Sequence, residues 1–321
     1  MSQSKRVAAI DCGTNSIRLL IADATEGGIR DVAREMVITR LGQGVDRTGV
    51  LDPAAIERTL NAARDYAAQI QEAGVEAGRF VTTSASRDAA NRNEFLVPIK
   101  EITGLQPQVL TGNEEAELSF LGALSAMPTT IEGPYLLTDI GGGSTEFVLG
   151  SDRVLQSVSM DMGSVRVSER FGGEPWTEEK LAEARAWIDQ KLDEAEESVD
   201  FSRARSLVGV AGTVTSIGAL VAGVEEYDPA MTHGITPTAD QWADAVNFLV
   251  SASVEDKAAL GFMPPGRADV IGGGALIWER ILNRFGVLDE QAQGTSGFPV
   301  IISEHDILDG LALSLADWVR W

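Results

Sequence analysis

Apolar residues fall along this chain in two rhythms. Short runs that are almost wholly apolar predict buried strands at 6–10, 17–23, 31–41, 80–84, 107–110, 135–137, 204–210 and 299–303, with further strand between 147 and 160. Elsewhere apolar residues recur every three or four positions. Ile56, Leu60, Ala63, Ala67 and Ile70 give one helical stripe, behind Asp52 as N-cap and Pro53 at the first position. Leu181, Ala184, Ile188 and Leu192 give a second, on a helix whose many Asp and Glu residues read as a solvated face. Further helices are predicted at 95–102, from Thr111 to Ala123, at 241–250, at 266–285 and at 306–321. The last of these turns Ile307, Leu308, Leu311, Leu315 and Trp318 inward. Strands and helices alternate, so the chain is read as α/β. The segment 128–134 has proline at both ends and no periodicity, which makes it the domain boundary.

One stretch breaks the pattern: Thr138-Asp139-Ile140-Gly141-Gly142-Gly143-Ser144-Thr145-Glu146-Phe147, directly after a strand. Consecutive glycines permit backbone angles and close approaches that a Cβ would forbid. Their amides can converge on an oxyanion, and Ser144 and Thr145 add hydroxyl donors. Asp139 and Glu146 place two carboxylates beside that loop, which makes sense next to phosphate only with a hard cation such as Mg²⁺ between them. Taken alone, the stretch reads first as a glycine-rich hairpin turn. It has a counterpart, however. Asp11-Cys12-Gly13-Thr14-Asn15-Ser16 also ends an apolar strand, with Asp, Gly and Ser at matching places and an apolar run behind it. Two copies of strand, glycine loop and strand predict a duplicated architecture with both loops facing one ligand across a cleft.

Composition narrows the partners. There are 48 Asp and Glu against 26 Lys and Arg, a formal net charge of −22, which argues against nonspecific binding of nucleic acid or anionic membrane. It also means that local arginines and a cation must overcome the global field at any phosphate site. Cys12 is the sole cysteine, so no intrachain disulfide is possible, and it reads as a small apolar residue beneath the first loop. No apolar stretch is long enough to span a bilayer and the first residues do not form a signal peptide, so a cytoplasmic protein is expected.

Several other residues are candidates for the chemistry. Arg18 follows the first loop, where its guanidinium reaches back to a phosphate or simply meets solvent. Arg87 follows a strand end, where binding crevices of α/β sheets lie. Glu114, Glu115 and Glu117 crowd the start of a helix, which complementing the helix dipole alone would explain. Gly212-Thr213 opens another helix and suits an oxyanion weakly. His233 and His305, the only histidines, cannot build a histidine-rich metal site, and no Gly-x-Ser-x-Gly elbow accompanies them.

Asp11-x-Gly-x-Asn-Ser16, Gly112-Asn-Glu-Glu-Ala116, Asp139-Ile-Gly-Gly-Gly-Ser-Thr-Glu146 and Gly212-Thr213 together resemble the exopolyphosphatase/guanosine pentaphosphate phosphatase family of the actin–hexokinase–Hsp70 superfamily. The resemblance runs over nearly the whole chain and is closest to short members without C-terminal helical domains. It implies two actin-like (ribonuclease-H-like) α/β domains with mixed sheets flanked by helices and the active site in the interdomain cleft. These domains are expected at 1–127 and 128–304, with 305–321 crossing back to complete the first. It further implies hydrolysis of a terminal phosphoanhydride of polyphosphate or pppGpp. Glu115 would be the residue that activates water. Asp11, Asp139 and Glu146 would hold Mg²⁺, with Mn²⁺ as an alternative. Gly13, Thr14, Asn15, Ser16, Arg18, Arg87, Gly141, Gly142, Gly143, Ser144, Thr145, Gly212 and Thr213 would hold phosphoryl oxygens. A homodimer fits this picture, and neither nucleic acid nor membrane is an expected partner. The rival readings are a pppGpp phosphohydrolase with the same catalytic residues, a noncatalytic phosphate sensor, and a sugar or acetate kinase.

Overall fold

A computed structural model of the chain describes residues 4–25, 27–128, 131–173, 176–288 and 298–316. It divides into two compact units, 1–126 with 305–321 and 127–304.

The first unit is built on β1 (Lys5–Cys12), β2 (Ser16–Thr25), β3 (Gly28–Ile38), β4 (Ala77–Thr82) and β5 (Pro107–Val109), in the order β3-β2-β1-β4-β5. The first three strands form an antiparallel meander, and β4 and β5 run parallel to β1. Helices α1 (Val45–Thr48), α2 (Pro53–Glu72), α3 (Ser84–Asp88), α4 (Asn93–Thr103) and α5 (Gly112–Ser125) connect them. The central strand β1 is buried on both faces, which is why its sequence reads as a continuous apolar run. Ala8, Ile10 and Cys12 pack on one side with Ile56, Leu60 and Tyr66 of α2 and Phe95 and Ile99 of α4. Val7 and Ala9 face the other way, toward Leu118 of α5. Asp52 caps α2 by accepting from the amides of Ala54 and Ala55, with Pro53 at the first position.

The second unit repeats the plan. β6 (Tyr135–Ile140), β7 (Thr145–Gly150), β8 (Val154–Met160), β9 (Ser206–Val210) and β10 (Val300–Ile302) lie in the order β10-β9-β6-β7-β8. Again three strands form an antiparallel meander and the last two run parallel to the first. Strand for strand, β6 to β10 take the places of β1 to β5. The helices here are α6 (Ser164–Arg170), α7 (Glu178–Glu196), α8 (Ala211–Ala222), α9 (Pro229–Thr232), α10 (Ala239–Ser251), α11 (Val254–Ala258) and α12 (Ile271–Arg284).

Several features differ from the sequence reading, beginning with β3, which runs Gly28–Ile38 rather than 31–41. The acidic face of α7 is not simply solvated. Asp189 pairs with Arg280 at 2.9 Å and Asp193 with Arg284 at 2.6 Å, while Arg185 reaches Glu279 at 2.8 Å, so the face is an ion-pair ladder to α12. Helix α12 begins at Ile271 rather than 266 and continues unbroken through its glycines. A Cβ at Gly273 would lie 2.6 Å from the Ser164 carbonyl oxygen, and one at Gly274 would overlap Thr213. The glycines therefore serve close packing on α6 and α8.

After β10 the chain returns to the first unit as α13 (Ile307–Leu313), which packs against α5, β1 and β2. Trp318, expected on this helix, lies outside the described residues. Helix α13 is fastened by charge as well as by Ile307, Leu308 and Leu311. Asp309, fully buried, accepts from Arg34 at 2.6 Å and lies 3.0 Å from His305 Nδ1. The hydrogen bonds and charges of His305 and Arg34 outweigh burial and hold the Asp309 carboxyl down at about 2. Asp309 in turn raises the His305 imidazole above its ordinary value, against burial and Arg34, with Asp31 adding to the rise. A raised histidine stabilises the fold below its unfolded value near 6.5 and loses that contribution as pH rises through the folded value. The difference in melting temperature between wild type and His305→Gln should therefore be largest near pH 5.5 and shrink toward pH 8.5. Equal differences at both pH values would contradict the pairing.

Candidate active site

Each glycine loop joins the first two strands of its unit. In the second unit the Gly141 amide donates to the Ser144 carbonyl at 3.0 Å, closing the turn. The loop carbonyls are then taken up from one side. Ser164 N donates to Gly141 O at 2.9 Å, Val165 N to Gly142 O at 2.9 Å, and Arg166 Nε to Gly143 O at 2.9 Å. In a trans peptide the carbonyl of one residue and the amide of the next point in opposite directions. The start of α6 and Arg166 thereby turn the amides of Gly142, Gly143 and Ser144 outward, an anion-facing nest. The Thr145 hydroxyl is not part of it, since it donates to the Met162 carbonyl.

The first unit repeats the arrangement with different partners. Gly13 N donates to Ser16 O at 2.9 Å, Gly42 N to Thr14 O at 2.8 Å, and Thr39 N and Arg40 N to Asn15 O at 3.0 and 2.9 Å. The amides of Asn15 and Ser16 are thus turned away from that segment. The Thr14 hydroxyl pairs with Ser84 Oγ at 2.9 Å. Neither Gly13 nor Gly141, Gly142 or Gly143 takes a left-handed φ. At Gly141 close approach favours glycine, whereas a Cβ at Gly13 would make only an ordinary contact, 3.7 Å from Ser16 O. A Cβ at Gly141 would lie 3.1 Å from Ser144 O, and a side chain at Gly163 would strike the Gly142 backbone.

Beside each loop two side chains stand directly opposite one another on the same face of the sheet. In the second unit they are Asp139 and Glu146, both buried, with Glu146 Oε1 accepting from Ser159 Oγ at 2.7 Å. In the first unit they are Asp11 and Arg18. Arg18 donates to Asp11 Oδ2 from Nε at 3.1 Å and Nη2 at 2.7 Å, and to Asp306 Oδ2 from Nη1 at 2.5 Å. Arg18, expected on phosphate, is therefore tied to two aspartates. Asp11 retains one buried oxygen, Oδ1, that has no hydrogen-bond partner. Burial raises the Asp11 carboxyl above its ordinary value while Arg18 pulls it down. Burial likewise raises the Cys12 thiol well above its own value, which leaves it an inert core residue.

Asp139 and Glu146 fit a hard divalent cation. Two neighbouring carboxylates in a buried place disfavour being charged together, and a cation relieves that. Among the described residues no set of three or more His, Cys, Asp or Glu is placed to hold a metal. The other coordination positions would fall to water and phosphate oxygens, as Mg²⁺ favours.

The two helix-start glutamates are separated by the structure. Glu114 folds back on the cap of α5, its Oε2 accepting from the Thr111 amide and hydroxyl, both at 2.8 Å, while Thr111 Oγ1 accepts from the Glu114 amide at 3.3 Å. Those hydrogen bonds hold its carboxyl below the ordinary value. Glu115, the next residue, is buried and meets Arg87 Nη1 at 3.3 Å. Arg87 Nη1 also donates to the Leu110 carbonyl at 3.1 Å. Strands β4 and β5 run parallel to β1, so Arg87, Glu115 and the first loop share one edge of the sheet.

In the second unit β9 runs parallel to β6 with Val210 level with Asp139, so α8 opens at the same edge as the Gly141–Gly143 loop. Ala211 there adopts φ 66°, a strained left-handed conformation for a residue with a side chain. A Cβ at Gly212 would lie 2.6 Å from Arg267 Nη2, so this helix start carries a guanidinium against its backbone. Arg267 also donates to Ser216 Oγ at 3.2 Å. Thr213 is buried against α12.

Sequence reasoning did not single out Arg166, Arg267 or Asp306. The first two act on backbone far away in the chain, and no local pattern marks them. Asp306 had a visible signal, the capping pair Asp306-x-x-Asp309 before an apolar run.

Residues 20–298 match the model of the Ppx/GppA phosphatase family. The chain is 44% identical to exopolyphosphatase 2 of Mycobacterium tuberculosis, over 97% of this chain and 98% of that protein. A crystal structure of an exopolyphosphatase-like protein superposes with a TM-score of 0.90 at 41% identity, covering 97% of each chain. The guanosine-5'-triphosphate,3'-diphosphate pyrophosphatase of Aeromonas salmonicida is 32% identical over 68% of this chain and 44% of that protein.

The buried Arg18 pair gives a test of its own. Arg18→Met leaves Asp11 and Asp306 without their cation and should destabilise the fold by about 3–5 kcal/mol. Urea unfolding measures this. A loss below about 0.5 kcal/mol would instead mark Arg18 as a surface-type group free to hold a ligand.

Proposed function

The chain belongs to the Ppx/GppA phosphatase family, and on that basis we propose that it is an exopolyphosphatase, releasing orthophosphate from the end of inorganic polyphosphate. The observation that carries the mechanism is the separation of Glu114 from Glu115. One carboxylate is spent on the helix cap, and the other is buried beside Arg87 at the sheet edge that bears the first loop. Glu115 accepts a proton from water as that water attacks the terminal phosphorus in line. The bond to the bridging oxygen breaks, the shortened polyphosphate leaves with that oxygen, and no covalent enzyme intermediate forms. Within the first unit the outward-turned amides of Asn15 and Ser16 hold phosphoryl oxygens as charge builds on them, and the amides of Gly142, Gly143 and Ser144 give the second unit a like set of donors. Arg87 orients Glu115 and adds positive charge at its side. Asp139 and Glu146 would hold Mg²⁺ or Mn²⁺, which supplies charge neutralisation to the phosphates when bound. A cytoplasmic location belongs to the same reading, since the sole cysteine is free and buried.

The second reading is hydrolysis of the 5'-terminal phosphate of pppGpp. The likeness to the Aeromonas protein favours it, and every residue above would act in the same way. Phosphate release from tripolyphosphate, long polyphosphate and pppGpp, measured side by side, separates the two. Release from pppGpp alone would overturn the first.

Metal dependence has a readout apart from turnover. Mg²⁺ should raise the melting temperature of the wild type, because a ligand of the native state stabilises it by mass action, and should not raise that of Glu146→Gln. An equal rise in both proteins would place the ion elsewhere.

Glu115→Gln keeps size and hydrogen bonding but removes the base, and should cost about 10²–10⁴-fold in kcat while the protein stays folded. Glu114→Gln keeps a capping-box acceptor and loses only a charge at the helix N-terminus, about 0.3–1 kcal/mol of stability, and keeps most of the activity. Equal losses in the two variants would remove Glu115 from its role.

A further inference from the structure

Helix α5 carries Glu115 in its first turn, and the position of that carboxylate depends on how the helix is rotated and seated. Glu115, Leu118 and Gly122 stand three and seven residues apart, so they form one stripe along the helix. The lower part of this stripe is where α13 crosses. A Cβ at Gly122 would fall within the Asp306 carbonyl, and a Cβ at Gly310 would fall within the Leu118 carbonyl. The two helices therefore meet backbone to backbone through a pair of glycines, and neither can roll without lifting off the other.

Asp306 holds the other side of this joint. Its Oδ1 accepts from the Leu308 amide at 3.0 Å, capping α13. Its own amide donates to Asp309 Oδ2 at 3.0 Å, and its carbonyl accepts from the amides of Asp309 and Gly310, both at 3.1 Å. Its Oδ2 accepts from Arg18 on β2 at 2.5 Å, and the same guanidinium grips Asp11 at the end of β1. A continuous chain of contacts thus runs from the first phosphate-loop hairpin through Arg18 and Asp306 to Gly122, and along one helical stripe to Glu115. All of it lies within the first unit.

We propose that Asp306 and the Gly122–Gly310 joint are positioning elements for Glu115: they set the rotation of α5, and so fix the water-activating carboxylate against the loop that holds the phosphate. This inference rests on Glu115 being the base. Its consequence is selective. The loop amides that bind substrate do not depend on the roll of α5, whereas the carboxylate does. Loss of the joint should thus appear in kcat and spare KM.

The test uses the full chain and tripolyphosphate. Gly122→Ala drives a methyl group into the Asp306 carbonyl and should lower kcat by about 10- to 100-fold through misplacement of the base, with KM within about threefold of wild type. Asp306→Asn keeps the cap oxygen and both glycines, so it remains folded and decides the matter if Gly122→Ala does not fold. It sets an amide NH2, which cannot accept, against the Arg18 guanidinium, so both the charge and the hydrogen bond of that grip are lost while Asp11 still pairs with Arg18, and it should lower kcat by about 3- to 10-fold with KM unchanged, together with unaltered circular dichroism. Wild-type kcat in both folded variants, or a loss expressed in KM instead, would overturn the proposal. Glu115→Gln run in parallel separates the two ideas. If it is inactive while the joint variants are fully active, only the positioning role falls; if it is active, the mechanism itself falls.

Discussion

A carboxylate buried at the end of a central strand is costly unless positive charge, hydrogen bonds or a bound proton offset it, and the two halves of this chain set it in different company. Both units place an aspartate at the same point of the same meander, Asp11 on β1 and Asp139 on β6, each facing one residue on the neighbouring strand. In the first unit that residue is Arg18, and the balancing charge is part of the chain. In the second it is Glu146, which doubles the negative charge. The same hairpin position thus carries an opposite-charge pair in one copy and a like-charge pair in the other. Burial of Arg18 between two aspartates also has a mechanical result, because Asp306 brings α13 with it. The first unit is closed by a segment nearly three hundred residues from the strand it is tied to.

The glycine loops gain their function from their neighbours. Their backbone angles are unexceptional, and what aims their amides is the capture of their carbonyls: by α6 and Arg166 in one unit, and by the segment from Thr39 to Gly42 in the other. Glycines in the covering segments let them lie against the loops, since a Cβ at Gly42 would strike Thr14 and one at Gly163 the Gly142 backbone. An amide nest of this kind is preorganised, with its donors held before any ligand arrives, so little reorganisation opposes the build-up of charge on a phosphoryl group.

Much of this was legible in the sequence, for identifiable reasons. Strand runs, the Asp52-Pro53 helix start and the paired loops are local patterns, and local patterns survive folding. The resemblance of Asp139–Glu146 and Gly112–Ala116 to a known family carried the fold class, and it put forward Glu115 rather than Glu114 as the base, two carboxylates to which the structure gives different partners. What could not be read was every relationship that depends on distant segments. Arg18 had two open readings because nothing near it reveals Asp306. The acidic helix α7 looked solvated because its arginine partners sit on α12, about ninety residues away. Gly122 and Gly310 are unremarkable alone and acquire meaning only as a pair. Thr145 had a hydroxyl that suited phosphate until the strand pairing gave it the Met162 carbonyl.

The hardest physical fact to reconcile with a polyanionic substrate is the net charge of −22. Many arginines do not help, for they are consumed in structure: Arg6 and Arg30 by Asp23, Arg34 by Asp309, Arg185 by Glu279, and Arg280 and Arg284 by α7. Positive potential at the site must come instead from groups that the acidic surface does not neutralise. Backbone amides serve, since their dipoles are fixed and carry no counter-charge to be paired away. A divalent ion held by Asp139 and Glu146 would serve for the same reason, arriving with charge that the fold has not already spent. Both act over a few ångströms, within the Debye length of physiological salt, whereas the repelling surface charges are screened beyond it. Attraction confined to the site and repulsion spread over the surface favour engagement of a chain end, where one terminal group enters the loop and the rest of the polymer remains in solvent.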